Sequence, residues 1–221
     1  MGRPAYAGRL SFCYTATMYR VNVYIDGFNL YHAIDDLGDD TLKWLDLWSL
    51  SEKLIRPNQT LNQVKYFSAY ATWLPDQYKR HRDYVEALES VGVTPIMGRF
   101  KEKWLRCKAT CREEFMTHEE KETDVNIGGH LIADALQDTF DTALIISADT
   151  DLAAVVRLAR EVAGADKRIC TVAPPGRYAK ARELAHLFEI SKGKIKSSRL
   201  PELIVINKRE IRCPDKYVMS K

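Results

Sequence analysis

The chain reads as an α/β fold with a central, mostly parallel sheet. Apolar strand-like runs alternate with amphipathic helical stretches, the mark of a parallel sheet covered on both faces. Two of the most apolar runs end in acids: Val21-Asn22-Val23-Tyr24-Ile25 leads into Asp26, and Ala143-Leu144-Ile145-Ile146-Ser147 leads into Asp149 and Asp151. A chain of 221 residues, 46% hydrophobic and 29% charged, is the right size for one such domain with a full core.

In chain order, the strand ending at Asp26 is followed by a loop and helix over 29–37 and a second helical stretch over about 45–54. The next strand is expected over 63–70. The stretch 77–90 is amphipathic, with Tyr84, Val85 and Leu88 inward and Gly92 closing it. A short strand follows over 93–97. Residues 99–118 fit neither period and read as an insertion, a hairpin or a knuckle. The stretch 122–137 is helical, with Val125, Leu131, Ile132, Ala135 and Leu136 at helical spacing. Strand 143–147, helix 152–162 and strand 168–172 follow. Pro174-Pro175-Gly176 turns into a helix over 178–184, and 187–190 is a last short strand. Residues 1–18 read as a weakly ordered arm, upstream of an alternative start at Met18. Residues 19–191 form the domain and 192–221 a C-terminal extension, in which Leu203-Ile204-Val205-Ile206 is either an added strand or a partner-binding segment.

Lys+Arg 33 against Asp+Glu 30 leaves a net charge of +3, so any basic surface is local and net charge is silent about nucleic acid. Five scattered cysteines, Cys13, Cys107, Cys111, Cys170 and Cys213, do not resemble a secreted disulfide framework. No apolar stretch reaches the ~18–20 residues needed to span a bilayer, and the first eighteen residues lack the apolar segment of a signal peptide. A reducing, cytoplasmic location without a membrane partner is the expectation.

Three segments carry chemistry. Asp26-Gly27-Phe28-Asn29 places a carboxylate at a strand exit, a glycine that lets backbone approach a ligand, and an amide. An Asp-Gly turn with Asn29 capping the helix explains the same residues. Ser147-Ala148-Asp149-Thr150-Asp151 lies between strand and helix; one acid there is explained by capping and the helix dipole, but two acids exceed that need. Asp124 opens the long helix, where an acidic first turn is ordinary, and Gly128-Gly129 suggests a close approach to the sheet, since each glycine costs ~1 kcal/mol in a helix interior. Carboxylates gathered on the rim of a parallel sheet repel one another unless a cation joins them, and that rim is where such sheets bind ligands.

Taken together, Ile25-Asp26-Gly27-Phe28-Asn29, the stretch from Glu120 through Asp124 to Asn126, and Leu144 through Asp149 to Asp151 resemble the NYN-domain family of PIN-like nucleases, particularly its LabA-like branch. The likeness runs over about 20–190. It implies a PIN-like three-layer α/β/α sandwich and a ribonuclease site dependent on Mg²⁺ or Mn²⁺. It also implies catalytic and metal-ligating roles for Asp26, Asp124, Asp149 and Asp151, with Asn29 as a polar ligand or substrate contact. Ala148 and Thr150 depart from the family's more usual Ser-Gly-Asp-Ser-Asp, but both acids are kept. Relatives of this kind often pair, so a homodimer is an implied partner. Some serve regulation, so a catalytically silent RNA-binding module is the alternative. A receiver-like or nucleotide-binding domain is a third reading, although no Walker or Rossmann glycine loop follows a strand.

Hard oxygen ligands suit magnesium or manganese rather than zinc, and no histidine lies in the three motifs to act as a base. The insertion brings Arg99, Lys101, Lys103, Arg106, Lys108 and Arg112 together with Phe100 and Trp104. Phosphates and unstacked bases want that mixture, so Lys101, Lys103, Trp104 and Arg106 are candidate contacts to single-stranded or looped RNA. A solvated hairpin with Trp104 packed on the core is the other account, and Lys192, Lys194 and Lys196 read as a solvated tail. Cys107 and Cys111, with His118 nearby, offer three ligands where structural Zn²⁺ takes four; two unligated thiols are the default and a zinc knuckle the alternative.

Overall fold

The computed structural model describes residues 18–107, 111–206 and 208–219. The N-terminal arm with Cys13, and Lys108 of the insertion, lie outside them.

Six strands form the sheet, in the order β4-β3-β2-β1-β5-β6. β1 (Tyr19–Asp26), β2 (Gln59–Ala69), β3 (Val93–Arg106), β5 (Thr142–Ile146) and β6 (Arg168–Val172) are parallel, while β4 (Glu114–Lys121) is an antiparallel edge. β1 is central and buried from Val21 to Asp26 because both of its faces are covered, which explains its near-continuous apolar run. Val21, Val23 and Ile25 face a core shared with α1 (Gly27–Asp35), α2 (Leu47–Glu52) and α3 (Pro75–Ser90). Tyr24 faces the opposite core, under α4 (Thr123–Leu136) and α5 (Leu152–Ala163). These are the three layers of an α/β/α sandwich. Among the described residues no helix is long and apolar enough to cross a membrane.

A buried polar group crosses the second core. Tyr24 donates its hydroxyl to Asp134 at 2.6 Å, and Lys65 pairs with the same carboxylate at 2.5 Å, with both charged side chains largely buried. Asp134 therefore points inward on α4, beside Ile127, Leu131 and Ala135. Val125 and Leu136, expected inward, are 76% and 70% exposed instead. Gly128 approaches α5 rather than the sheet: a Cβ there would stand 2.5 Å from Val155 Cγ2, whereas Gly129 faces open space.

The insertion is a hairpin. β3 runs nine residues beyond the expected short strand and turns back as β4, with Phe100 opposite Glu120, Lys103 opposite Thr117 and Arg106 opposite Glu114. Both hairpin faces are largely solvated, so neither an alternating nor a continuous apolar signal marks it. Beyond β6, the expected helix over 178–184 is a set of turns ending in the short 3₁₀ segment Arg182–Leu184, stopped by Ala185 at φ +49°. Residues 187–190 run beside β6 through Leu187 N to Thr171 O, Ala173 N to Phe188 O and Ile190 N to Ala173 O, without extending into a strand.

The C-terminal residues fold back on the first core. Lys192–Lys196 is the short helix α6, capped by Ser191, and Lys194 Nζ donates to the Lys53 carbonyl, so this stretch is not a loose tail. β7 (Leu203–Ile206) and β8 (Arg209–Arg212) make a small antiparallel hairpin. Ile195, Leu200, Ile211, Cys213 and Tyr217 join the core of α1–α3.

Candidate active site

The carboxyl ends of β1 and β5 lie side by side, so their loops meet above the sheet. Asp26 ends β1 and caps α1: its Oδ1 accepts from Asn29 N at 3.0 Å. Its Oδ2 accepts from Ser147 Oγ at 2.8 Å, and Ser147 Oγ in turn accepts from Asp149 N at 3.0 Å. Asn29 Oδ1 accepts from Ala148 N at 2.9 Å. The two motifs are thereby tied together, and Asn29 spends its carbonyl oxygen fixing the β5–α5 loop. Gly27 is needed for packing: a Cβ there would fall 2.6 Å from Tyr66 Cε2 and 2.7 Å from the Phe67 carbonyl.

The third wall comes from β4 and α4. Glu122, at φ +82°, holds a left-handed turn that sends the chain from β4 into α4, a conformation costing on the order of 1–3 kcal/mol for a residue with a side chain. Glu120 Oε1 accepts from Thr123 N at 3.2 Å and from the Thr123 hydroxyl. Asp124 follows in the first helical turn.

These walls enclose a cleft of about 420 Å³ lined by Asp26, Asn29, Glu120, Asp124 and Asp149, together with His32, Arg177 and Lys180. Burial pushes the Asp26 carboxyl up to about 6, against its hydrogen bonds from Asn29 and Ser147 and with the charges of Asp149 and Glu120 adding to the rise. Asp124, although an exposed residue, is also pushed up to about 6, by partial desolvation in the cleft and by repulsion from Asp149, Asp26, Glu120 and Asp151. The cluster is electrostatically uncompensated as it stands, and a divalent cation would reverse both shifts. The donors are hard carboxylate oxygens, the type that magnesium and manganese accept. Among the described residues no three acids, cysteines or histidines close around a single point.

Of the expected site residues, Asp26, Asp124, Asp149 and Asn29 converge on this cleft, while Asp151 stands exposed at the start of α5, its backbone N–H donating to Asp149 Oδ1 at 3.0 Å. Glu120, Arg177 and Lys180 join them without having been expected as site residues. Glu120 reaches the cleft only through the hairpin's return strand, and the two cations only through the irregular chain after β6. The Pro-Pro-Gly turn followed by Arg177 and Lys180 is the available signal for the latter.

Lys101, Lys103, Trp104 and Arg106 sit progressively outward on the hairpin from Phe100 and Glu120, Trp104 by ~14 Å and Arg106 by ~20 Å at ~3.4 Å per residue. Trp104 is 67% exposed rather than packed on the core. Lys103 pairs with Glu119 at 3.1 Å and Arg106 with Glu114 at 3.7 Å, and Arg99 with Glu122 at 2.7 Å, so β4 and the turn after it offset much of the basic charge that the first hairpin strand carries. Cys107 directly follows β3 and donates its backbone N–H to Glu113 O at 2.8 Å, and Cys111 lies just before β4. His118 lies back along β4, stacked on Trp73 with ring centroids 3.5 Å apart, away from both thiols.

Comparison with known proteins agrees with this architecture. The family model described as NYN domain matches residues 20–188. A relative from Pseudomonas putida (strain DSM 28022 / S16), named 6-hydroxy-3-succinoylpyridine 3-monooxygenase HspA, is 27% identical over 87% of this chain and 74% of its own length. A crystal structure of a protein of unknown function from Vibrio parahaemolyticus RIMD 2210633 superposes with a TM-score of 0.50 over 80% of this chain and 94% of its own, at 16% identity, a likeness of fold. Since the family model spans most of the chain, including all the acids of the cleft, the protein belongs to the NYN-domain family, a PIN-like nuclease family.

Proposed function

We propose that the protein is a metal-dependent ribonuclease that hydrolyses RNA phosphodiester bonds in the cleft of Asp26, Asp124, Asp149 and Glu120. The convergence of four carboxylates on one cleft that Arg177 and Lys180 also line carries the reading. Asp26, Asp124, Asp149 and Glu120 are the residues that would hold Mg²⁺ or Mn²⁺, with Asp151 at the rim. When bound, such an ion supplies a water of lowered pKa and neutralises phosphate charge.

The chain's own residues do the rest. Ser147 and the Asn29 backbone N–H fix both oxygens of Asp26, so that carboxylate cannot rotate away. Asn29, through Ala148, sets the loop that carries Asp149. Lys180 places positive charge at the cleft for an RNA phosphate, beside Arg177, whose guanidinium pairs with Asp36 at 2.6 Å. The N-termini of α1 and α4 begin at the same cleft and favour an anion there. Single-stranded or looped RNA is the substrate class, with the exposed Trp104 and Lys101 as outer contacts. The relative named as a monooxygenase shares about a quarter of its residues with this chain; fold-level kinship does not transfer a reaction.

Asp149→Asn tests the assignment. Loss of RNA cleavage with RNA binding retained supports the enzyme. A parent protein that binds RNA but cleaves none of a varied panel in Mg²⁺ or Mn²⁺ supports the silent, regulatory module instead.

A further inference from the structure

Helix α1 has two working faces. Asp26, Asn29 and His32 look onto the acidic cleft, while Gly27, Leu30, Tyr31 and Ile34 line a separate cavity on its other side; Phe28, at the start of the helix, borders both. The second cavity measures about 240 Å³. One water needs only ~10–15 Å³ on this measure, and drug-sized sites begin near ~300 Å³, so the space fits a ring system rather than a large ligand. Its walls are aliphatic, with Leu30, Ile34 and Leu45 among them, and aromatic, with the rings of Phe28, Tyr31 and Tyr84.

Charged and polar groups also reach the lining, namely Lys43, which pairs with Asp35 and Asp40, and Gln77 and Arg80 of α3, and a buried polar cluster is centred on Ser68. Ser68, on the same strand face as Tyr66, is 1% exposed, and its hydroxyl makes no well-aligned hydrogen bond among the described residues, although it lies near enough to the Tyr66 phenol to stabilise that group's anion slightly. The Tyr66 hydroxyl lies 3.2 Å from His81 Nε2. An unused buried hydroxyl costs ~1–3 kcal/mol when nothing satisfies it, so the site is poised for a ligand carrying a ring nitrogen or carbonyl. We propose that this cavity binds a neutral planar heteroaromatic ring of the nucleobase type, read at its edge by Ser68, Tyr66 and His81 and covered on its faces by the surrounding aromatics. Burial lowers the His81 imidazole to about 4, so it is neutral at pH 7 and presents one donor and one acceptor, and burial likewise keeps the Tyr66 phenol protonated. A cationic ligand would lose its hydration beside Lys43 and Arg80 without a counter-charge, and an anionic one would compete with Asp35 and Asp40 for Lys43.

Two sources supply such a ring: a base of RNA lying in the neighbouring cleft, reaching past Phe28, or a free nucleoside. The first source rests on the nuclease reading and the second does not.

The test uses the full chain and two variants, Ala71→Phe, which fills the cavity from a half-buried loop position, and Ser68→Ala, which removes the unused hydroxyl. The four ribonucleosides are titrated by ligand-observed NMR, and a 12-nucleotide RNA is compared by calorimetry with its fully abasic counterpart in EDTA. Nucleoside binding weakened at least tenfold in both variants supports the free source. No nucleoside binding, but RNA held at least tenfold more tightly than abasic RNA with that advantage erased by Ala71→Phe and reduced by Ser68→Ala, supports the bound base. If Ala71→Phe does not fold, Ser68→Ala decides alone. No binding of nucleosides together with no effect of either variant on RNA affinity overturns the proposal. Cleavage loss in Asp149→Asn is read independently, so failure of the nuclease reading leaves the nucleoside titration intact.

Discussion

Replacing Asp26 with Asn should make the metal-free protein more stable while removing its activity. Asp26 is 5% exposed, and its pKa stands at about 6 against an ordinary 3.8. At ~1.4 kcal/mol per pH unit, ionising it in place costs roughly 3 kcal/mol at pH 7. The substituted amide would still accept from the Asn29 backbone N–H through its oxygen, but its nitrogen would face Ser147 Oγ, losing a bond worth ~1 kcal/mol. The expected net gain is about 1–2 kcal/mol. The sign follows from the two states of the parent. Below about pH 4 both hold the proton, so there is no penalty. Between about 4 and 6 the unfolded chain releases it and the folded one does not, so parent stability falls as pH rises, and the full penalty persists above 6. The assay is urea denaturation of both proteins in EDTA from about pH 4.5 to 8, a window that starts above the unfolded-state value and passes through the folded one. The variant's advantage should grow up to about pH 6 and then level off. A variant that is less stable than the parent at pH 7, or a difference that does not change with pH, refutes the argument that Asp26 is an uncompensated buried charge. Saturating Mg²⁺ or Mn²⁺ should restore stability to the parent and not to the variant.

Other perturbations follow from particular contacts. Gly128→Ala should destabilise by ~1–3 kcal/mol, because its Cβ would press on Val155, while Gly129→Ala should stabilise by ~0.5–1 kcal/mol; thermal melts of the pair check the contrast. Asp134→Ala leaves the Lys65 ammonium buried without its partner and takes the acceptor from Tyr24, so chemical denaturation should show a loss of ~3–5 kcal/mol. Trp104→Ala should leave the melting temperature unchanged, the ring being 67% exposed, yet weaken single-stranded RNA binding by ~1–3 kcal/mol in fluorescence anisotropy.

The sheet was legible where burial wrote it into the chain. β1, β5 and β6 are covered on both faces, so their apolar runs and the acids at the ends of β1 and β5 could be read directly, and with them Asp26 and Asp149. The insertion was legible as a hairpin or a knuckle, but its two strands were not, because a solvated two-stranded ribbon leaves no periodic apolar signal. Its charge was misjudged for the same reason: Glu114 and Glu119 are distant in sequence from Arg106 and Lys103 but directly across the ladder or diagonal to them. Helical spacing admitted Val125 and Leu136 to the core of α4, but the inward face is fixed by Asp134 meeting Lys65 and Tyr24, a pairing between residues far apart in the chain. Glu120 belongs to the site through strand register, and Arg177 and Lys180 through a turn whose course no local pattern fixes.

The most direct test is cleavage of an end-labelled single-stranded RNA by the purified full chain, in Mg²⁺ or Mn²⁺ and in EDTA, beside Asp26→Asn at equal concentration. The account predicts metal-dependent cutting by the parent, abolished by EDTA and by the substitution. Cutting that survives both would contradict it, since the acids of the cleft would then have no part in the reaction.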